Sequence, residues 1–347
     1  RPDQFHAPRM RLMIRPSARK CRQERVVDVN HRRAQDRQEI RQEKREVQDA
    51  RRYGDRQDVR EERRDVREAR QEYKEDWLIF ERLIKKDNKT LKVEIAFKID
   101  RNTKGREKEA KELIVPVSDS CLVVFFPTEK ETHLKFLIQG PYITTPARDN
   151  IPKEDPWNKE LIDETASLVA DSLLKIKKLE LLTTDFLEVL PVNKQDHPED
   201  HMFRPVYKAV LDKIKTEEKL LPANDGGHIN AQQAYLARGE KLVDLLGTEQ
   251  LSLLFGKQNC QWLDSKITEK SPLWNYFSDE LQIPVVRPET FANKLDEKFI
   301  QGQDDDWMIE FYIFLLKQEE LWKKPSSVLR EKKFIRLEDG THVTPFH

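Results

Sequence analysis

Strictly alternating apolar and polar side chains over residues 91–99 predict a half-buried strand with its lysine and glutamate side chains outside. A short run of apolar residues at 77–80 precedes this strand. Shorter apolar runs predict further strands at 113–117, 121–126 and 136–139, and the last of them ends at the turn signal Gly140-Pro141. These segments together predict a sheet.

The hydrophobic period changes after Pro156. Apolar side chains recur at helical spacing over 157–182, with acidic residues early and lysines late, as the helix dipole favours. A short helix is predicted at 184–190, where Pro191 ends it. Residues 77–190 therefore form a predicted sheet-plus-helix unit, and the predicted fold class is α+β.

Residues 191–347 are predicted to be a mostly helical domain, with helices at 203–215, 239–246, 248–255, 273–281, 288–301 and 304–322. Two Asp-Gly turns, at 225–226 and 339–340, predict β-hairpins in which His228 and His342 are strand residues rather than ligands. The acidic run 304–306 is interpreted as a helix cap rather than a metal cluster.

A compositional break separates the first 76 residues from the rest. Residues 1–76 contain 20 Arg and 3 Lys, whereas 77–347 contain 9 Arg and 31 Lys. Over 31–76 about one apolar residue occurs per heptad, where a coiled coil needs two. Residues 1–76 are therefore predicted to be an Arg-rich charged tail, helical or disordered. Over 31–76 the positive and negative charges nearly cancel, which argues against a nucleic-acid-binding arm.

The overall composition excludes several classes of protein. Lys+Arg and Asp+Glu both total 63, with 36% charged and 37% hydrophobic residues, which favours neither a membrane protein nor a wholly disordered chain. No apolar run approaches the roughly 18–20 residues of a membrane span. The three cysteines are far apart, which favours a reducing cytoplasmic location.

Motifs for self-contained catalysis are missing from the sequence. It has no GxxxxGK[ST] or GxGxxG loop, no GxSxG and no HExxH, which argues against an autonomous P-loop or Rossmann enzyme. His197 and His201 have the spacing of a helical zinc pair, but Pro198 interrupts that helix, so no metal site is predicted.

The stretches FFPTEKET at 125–132 and FLIQGPYITTPARDNI at 136–151 are distinctive. Together with WN at 157–158, FLE at 186–188, MFRP at 202–205 and IRLEDG at 335–340, they resemble proteins with a sacsin-type N-terminal ATP-binding domain. That domain belongs to the GHKL superfamily, which includes the ninety-kilodalton heat-shock chaperones. The resemblance covers nearly all of 77–347 and none of 1–76.

This resemblance implies that the chain is the transducer or middle region that follows a nucleotide-binding lobe, with the sheet-plus-helix unit 77–190 as its transducer-like domain. The lobe's magnesium-holding Asn/Asp helix and Gly-rich lid are expected before Trp77 and do not occur there. ATP and Mg²⁺ are therefore expected only when the lobe is present, and the chain alone is not expected to be an active enzyme. Its partners would be the lobe or other proteins. The alternative is a structural protein–protein interaction module with no nucleotide role.

Two cations are candidates for contacting the γ-phosphate, where negative charge develops during hydrolysis. Arg148 lies in a segment similar in layout to the chaperones' arginine loop. Lys130 is the competing candidate, because gyrase-type relatives use a lysine in a comparable loop. The sequence also departs from the family, since an arginine is expected at position 143 and Ile143 stands there.

Overall fold

The computed structural model describes residues 76–86, 88–101, 112–118, 120–147, 149–216 and 218–346. Within them, one large sheet and three small ones are combined with helices, which confirms the predicted α+β class. The predicted charged tail lies outside the described residues, apart from Asp76, which begins the first strand. No helix of the described part is long and apolar enough to cross a membrane.

The main sheet is built from the first six described strands. They are β1 (Asp76–Lys86), β2 (Lys89–Arg101), β3 (Glu112–Val115), β4 (Cys121–Val124), β5 (Phe126–Glu131) and β6 (Leu137–Gln139). Their order is β1-β2-β6-β4-β5, with β3 also paired to β2. The β4–β6 pair is parallel and the other pairs of this sheet are antiparallel.

The alternation over 91–99 forms the centre of β2, as predicted. Val93, Ile95 and Phe97 point into the core and are fully buried. The expectation that the glutamate of this strand is exposed is wrong, because Glu94 retains only 3% exposure on the other face of the sheet. An ion pair with Lys92 partly compensates this buried carboxylate.

The predicted strand 121–126 ends early, at Val124. Phe125 has φ of 60°, a left-handed backbone conformation that reverses the chain, and β5 begins at the next residue. The family resemblance places Lys130 in a loop, but it lies in β5, where the strand pairs with β4.

The described helices are α1 (Pro156–Lys178), α2 (Thr184–Leu187), α3 (Arg204–Ile214), α4 (Glu240–Leu245), α5 (Thr248–Phe255), α6 (Leu273–Asn275), α7 (Pro288–Lys294), α8 (Glu297–Gln301) and α9 (Asp305–Lys317). The side chain of Asp155 caps α1 by accepting hydrogen bonds from the backbone amides of Trp157 and Asn158. The long helix predicted from the period change is therefore confirmed.

Several predicted helices have different bounds in the structure, and the one predicted at 184–190 already ends at Leu187. The predicted helix 288–301 is two helices, because Asp296 adopts an extended conformation and caps α8 through the amide of Phe299. Helix α6 continues as a π-helix over Tyr276–Glu280. Helix α9 stops at Lys317 and is followed by a short 3₁₀ turn, Glu319–Leu321.

Both predicted Asp-Gly hairpins form. One joins β7 (Leu221–Pro222) to β8 (His228–Ile229), and the other joins β12 (Ile335–Arg336) to β13 (His342–Val343). Between them, β9 (Ala234–Ala237) pairs in parallel with β10 (Gln261–Trp262) and β11 (Val285–Val286). Asp304 accepts a hydrogen bond from the amide of Trp307, which confirms that the acidic run is a helix cap.

The apolar side chains form two cores. The first lies between the main sheet and α1 and continues through α3 as far as Ile283. The second involves side chains between Tyr235 and Phe334, and aromatic rings of α7 and α9 meet at its centre. The proposed domain boundary near residue 190 stays a prediction.

Candidate functional site

The loop that follows β6 is fastened to the first turn of α1 by one buried amide side chain. Asn158 Oδ1 accepts a hydrogen bond from the Ile143 amide at 2.8 Å, and Asn158 Nδ2 donates to the carbonyls of Ile143 and Pro152 at 3.0 Å each. Asn158 is fully buried. This one side chain therefore holds both sides of the loop segment 143–152.

A second set of contacts fixes the start of the same loop. The hydroxyls of Tyr142 and Thr165 are 3.0 Å apart inside the core, and Trp157 Nε1 donates to the carbonyl of Pro141 at 3.0 Å. Burial raises the pKa of Tyr142, so its phenol stays neutral and structural. A Cβ at Gly140 would lie only 2.8 Å from the Tyr142 ring, so the close approach here requires glycine.

The far end of the loop closes into a turn over 145–150. Thr145 donates its amide hydrogen to the Asn150 carbonyl at 3.0 Å, and its hydroxyl donates to Asp149 Oδ1 at 2.5 Å. Arg148 lies outside the described residues, and its neighbours Ala147 and Asp149 are exposed. The loop thus has a fixed base, and the described residues next to Arg148 in the sequence are exposed.

Position 143, where the resemblance leads us to expect an arginine, lies at the surface. The side chain of Ile143 is 47% exposed, while its backbone makes both hydrogen bonds to Asn158. The loop anchor therefore depends on the backbone at 143 and not on which side chain is present.

The competing cation, Lys130, lies on an edge strand of the sheet. Its amide donates to Thr128 Oγ1 at 3.2 Å, and that hydroxyl donates to the carbonyl of Leu122 on the neighbouring strand at 2.8 Å. Lys130 is half-buried. Its backbone position is therefore fixed by the β4–β5 pairing.

Lys130 and the loop are separated along the sheet. Pro127 of β5 and Gln139 of β6 both pair with Val123 of β4. From Pro127, strand β5 runs in the direction opposite to β6, away from the end of the sheet at which β6 enters the loop. At roughly 3.3 Å per residue, Lys130 lies about 10 Å beyond Pro127 in that direction. The two candidate cations are therefore carried by different structural features.

Three histidines cluster beside Lys130. The ring centroid of His201 lies 5.3 Å from that of His133 and 5.1 Å from that of His197. Burial, together with the neighbouring histidines and Lys130, lowers the pKa of His201 to about 4. Burial also lowers the pKa of His197, against a hydrogen bond to the Asn193 carbonyl. His197 and His201 are therefore neutral at physiological pH.

The sequence shows the spacing of His197 and His201, but it does not predict that His133 lies beside them. That residue follows β5, far away in sequence, and only the packing of the 193–203 segment on this end of the sheet joins them. The Nε2 atom of His197 is buried without a hydrogen-bond partner. Among the described residues, no group of three or more His, Cys, Asp or Glu side chains is placed to hold a metal ion.

A cleft of about 480 Å³ lies beside this cluster. It is lined by Pro116, Val117, Ser118, Ser120, Glu131, His133, Leu134, Lys135 and Asp196. The Lys135 ammonium already donates to the carbonyl of Glu188 at 2.8 Å. The cleft is therefore lined by both acidic and basic side chains and not by a cluster of cations, which argues against a phosphate-binding site.

Comparison with known proteins gives one distant relative. No family model matches the chain, and no solved structure matches it. Over 154 residues the chain is 25% identical to Protein NO VEIN of Arabidopsis thaliana, a match that covers 41% of this chain and 5% of that protein. The match spans only a small part of the relative's length, and the relative's name states no activity.

Proposed function

We propose that residues 77–347 are the transducer-like middle region of a GHKL-type ATPase, similar to sacsin and the ninety-kilodalton heat-shock chaperones. In this proposal the region completes an ATP site carried by a separate nucleotide-binding lobe and passes conformational change to protein partners. The observation that carries the proposal is the loop 140–150, whose base is fixed by Asn158 and whose residues Ala147 and Asp149, on either side of Arg148 in the sequence, are exposed.

The proposed chemistry follows from that architecture. A cation on a fixed loop lowers the energy of the charge that develops on the γ-phosphate, with little reorganisation at the moment of reaction. Arg148 is the first candidate for this role and Lys130 the second. ATP and Mg²⁺ would be held by the lobe, so the chain's own contribution is the cation and its positioning.

The proposal is tested in a chain that also carries a nucleotide-binding lobe. The nucleotide-binding lobe of a sacsin-type protein is joined before Trp77, and Arg148→Ala and Lys130→Ala are compared for turnover and for ATP affinity. Because a cation that acts on developing charge affects the rate, we expect Arg148→Ala to lower kcat at least tenfold with ATP affinity nearly unchanged. Arginines in phosphoryl transfer are worth roughly 10³–10⁵ in rate.

Two outcomes contradict parts of this proposal. If Lys130→Ala shows the rate defect instead, the phosphate contact belongs to the edge strand. If neither variant changes turnover more than about threefold while both proteins stay folded, the region has no catalytic cation. The chain without the lobe is the baseline, and we expect it to hydrolyse no ATP.

A second function, as a protein-interaction module without a nucleotide role, is favoured by the tip of the β4–β5 hairpin. Phe125 is 75% exposed and Phe126 61% exposed, and the backbone of Phe125 has an unfavourable positive φ. Aromatic side chains held out at a strained turn are typical of recognition surfaces. If Phe125→Ser abolishes partner binding while the ATPase tests are negative, this second function replaces the first.

A further inference from the structure

Helix α9 exposes an apolar strip on its outer face. Ile309 is 54% exposed, Ile313 39% and Leu316 67%. Their i, i+4, i+7 spacing places all three on one side of the helix, while Phe311 and Phe314 on the other side are buried in the second core. A surface helix normally carries polar residues on its outer face, so this strip requires an explanation.

Charges of opposite sign lie at the two ends of the strip. Asp306 and Glu310 are exposed near the N-terminal end. Lys317 is exposed at the C-terminal end, and Lys241 of α4 lies beside it. The Lys241 side chain lowers the pKa of Lys317 by a hydrogen bond and by like-charge repulsion, whereas the Glu310 carboxylate raises it. The same face is thus acidic at one end and basic at the other.

We propose that this strip is a self-association surface, on which α9 of a second copy of the chain packs in antiparallel orientation. A twofold axis near Ile313 brings Ile309 of each copy towards Leu316 of the other. It also places Lys317 opposite the stretch between Asp306 and Glu310 of the second copy. A parallel arrangement would bring like charges together, so the charge pattern selects the antiparallel one.

The size of the strip sets the expected strength. Helix α9 has 13 residues and is therefore about 20 Å long. A single helix pair buries less than the roughly 1,200–2,000 Å² of a stable interface. We therefore expect a monomer–dimer equilibrium with a Kd in the micromolar range, weakened by salt because charges at its rim contribute.

The first test is sedimentation velocity of the full chain between about 1 and 100 µM. Leu316→Glu is expected to weaken the dimer at least tenfold, since it puts a charge into the apolar contact. Leu253→Glu on α5 is the matched control, because Leu253 is 60% exposed but lies on another helix. It is expected to change the Kd less than twofold, and thermal unfolding verifies that both variants are folded.

The second test examines the charges. Lys317→Glu is expected to weaken the dimer, and adding Asp306→Lys and Glu310→Lys to it is expected to restore the dimer at low salt. A chain that stays monomeric over the whole concentration range overturns the proposal and leaves the strip to a different partner. A dimer that is insensitive to Leu316→Glu, or equally sensitive to Leu253→Glu, overturns it as well.

Discussion

Replacing Asn158 by alanine tests whether one buried amide fixes the candidate loop. The substitution removes the hydrogen bond from the Ile143 amide and those to the Ile143 and Pro152 carbonyls. The helix around position 158 is not disturbed, because alanine is a strong helix former. The expected effect is therefore confined to the loop and its attachment.

The magnitude follows from the number of hydrogen bonds. Each is worth about 0.5–1.5 kcal/mol net, so three give about 1.5–4.5 kcal/mol. Two effects reduce this loss of stability. Water can reach part of the released backbone, since Ile143 is 47% exposed. Alanine also has a higher helix propensity than asparagine, which restores about a few tenths of a kcal/mol. We expect Asn158→Ala to lower the free energy of unfolding by about 2–3 kcal/mol.

Denaturant unfolding of the full chain measures this loss, and amide hydrogen exchange locates it. The amides of Ile143 and Thr145 should exchange about 30- to 100-fold faster in the variant, because 1.4 kcal/mol corresponds to a factor of ten. Lys159→Ala is the matched control on the same helix. It removes only an exposed ion pair with Glu154, so we expect no measurable change in the free energy of unfolding.

The variant Asn158→Asp keeps the side-chain oxygen that accepts a hydrogen bond but removes the amide group that donates two. Aspartate still accepts from the Ile143 amide but directs a buried carboxylate at two carbonyl oxygens, so its loss should equal or exceed that of alanine. The reasoning is refuted if Asn158→Ala costs less than about 0.5 kcal/mol, or if exchange at 143–145 is unchanged. Either result would mean that the loop is held by other contacts.

Three further predictions concern local features of the fold. Because the folded-state pKa values of His197 and His201 lie below those of the unfolded chain, the unfolded chain binds protons first as the pH falls. Stability should therefore be complete above about pH 6.5 and decline towards pH 4. The decline of the denaturant midpoint with falling pH should be smaller in His201→Gln than in the unchanged chain. An equal decline would exclude the histidine cluster as the source of the pH dependence. Phe125→Gly should raise stability by up to about 1 kcal/mol in thermal unfolding by relieving the positive φ, whereas Phe125→Ala should not, and equal effects would contradict the strain argument. Gly140→Ala should lower stability by about 1–3 kcal/mol in denaturant unfolding, since its Cβ meets the fixed Tyr142 ring, and a neutral result would show that the ring can move.

Local sequence signals determined the elements that depend on near neighbours in the chain. The alternation around Val93 formed β2, Asp304 capped α9, and the Asp-Gly turns formed hairpins. Each of these outcomes depends on residues within one or two turns of each other, so hydrophobic period, cap and turn chemistry were sufficient to predict them. Of the candidate site, the same signals identified the loop after Gly140 but not what fixes it.

Tertiary packing decided the rest. The chain reverses at Phe125 although phenylalanine does not favour a positive φ, because the pairing of β4 with β5 outweighs the local preference. Glu94 is buried by its place in the middle of the sheet, and His133 reaches His201 only because a distant segment packs there. A sequence pattern reports the preferences of neighbouring residues. Burial and contact depend on side chains that the fold brings from far along the chain, and no local pattern contains that information.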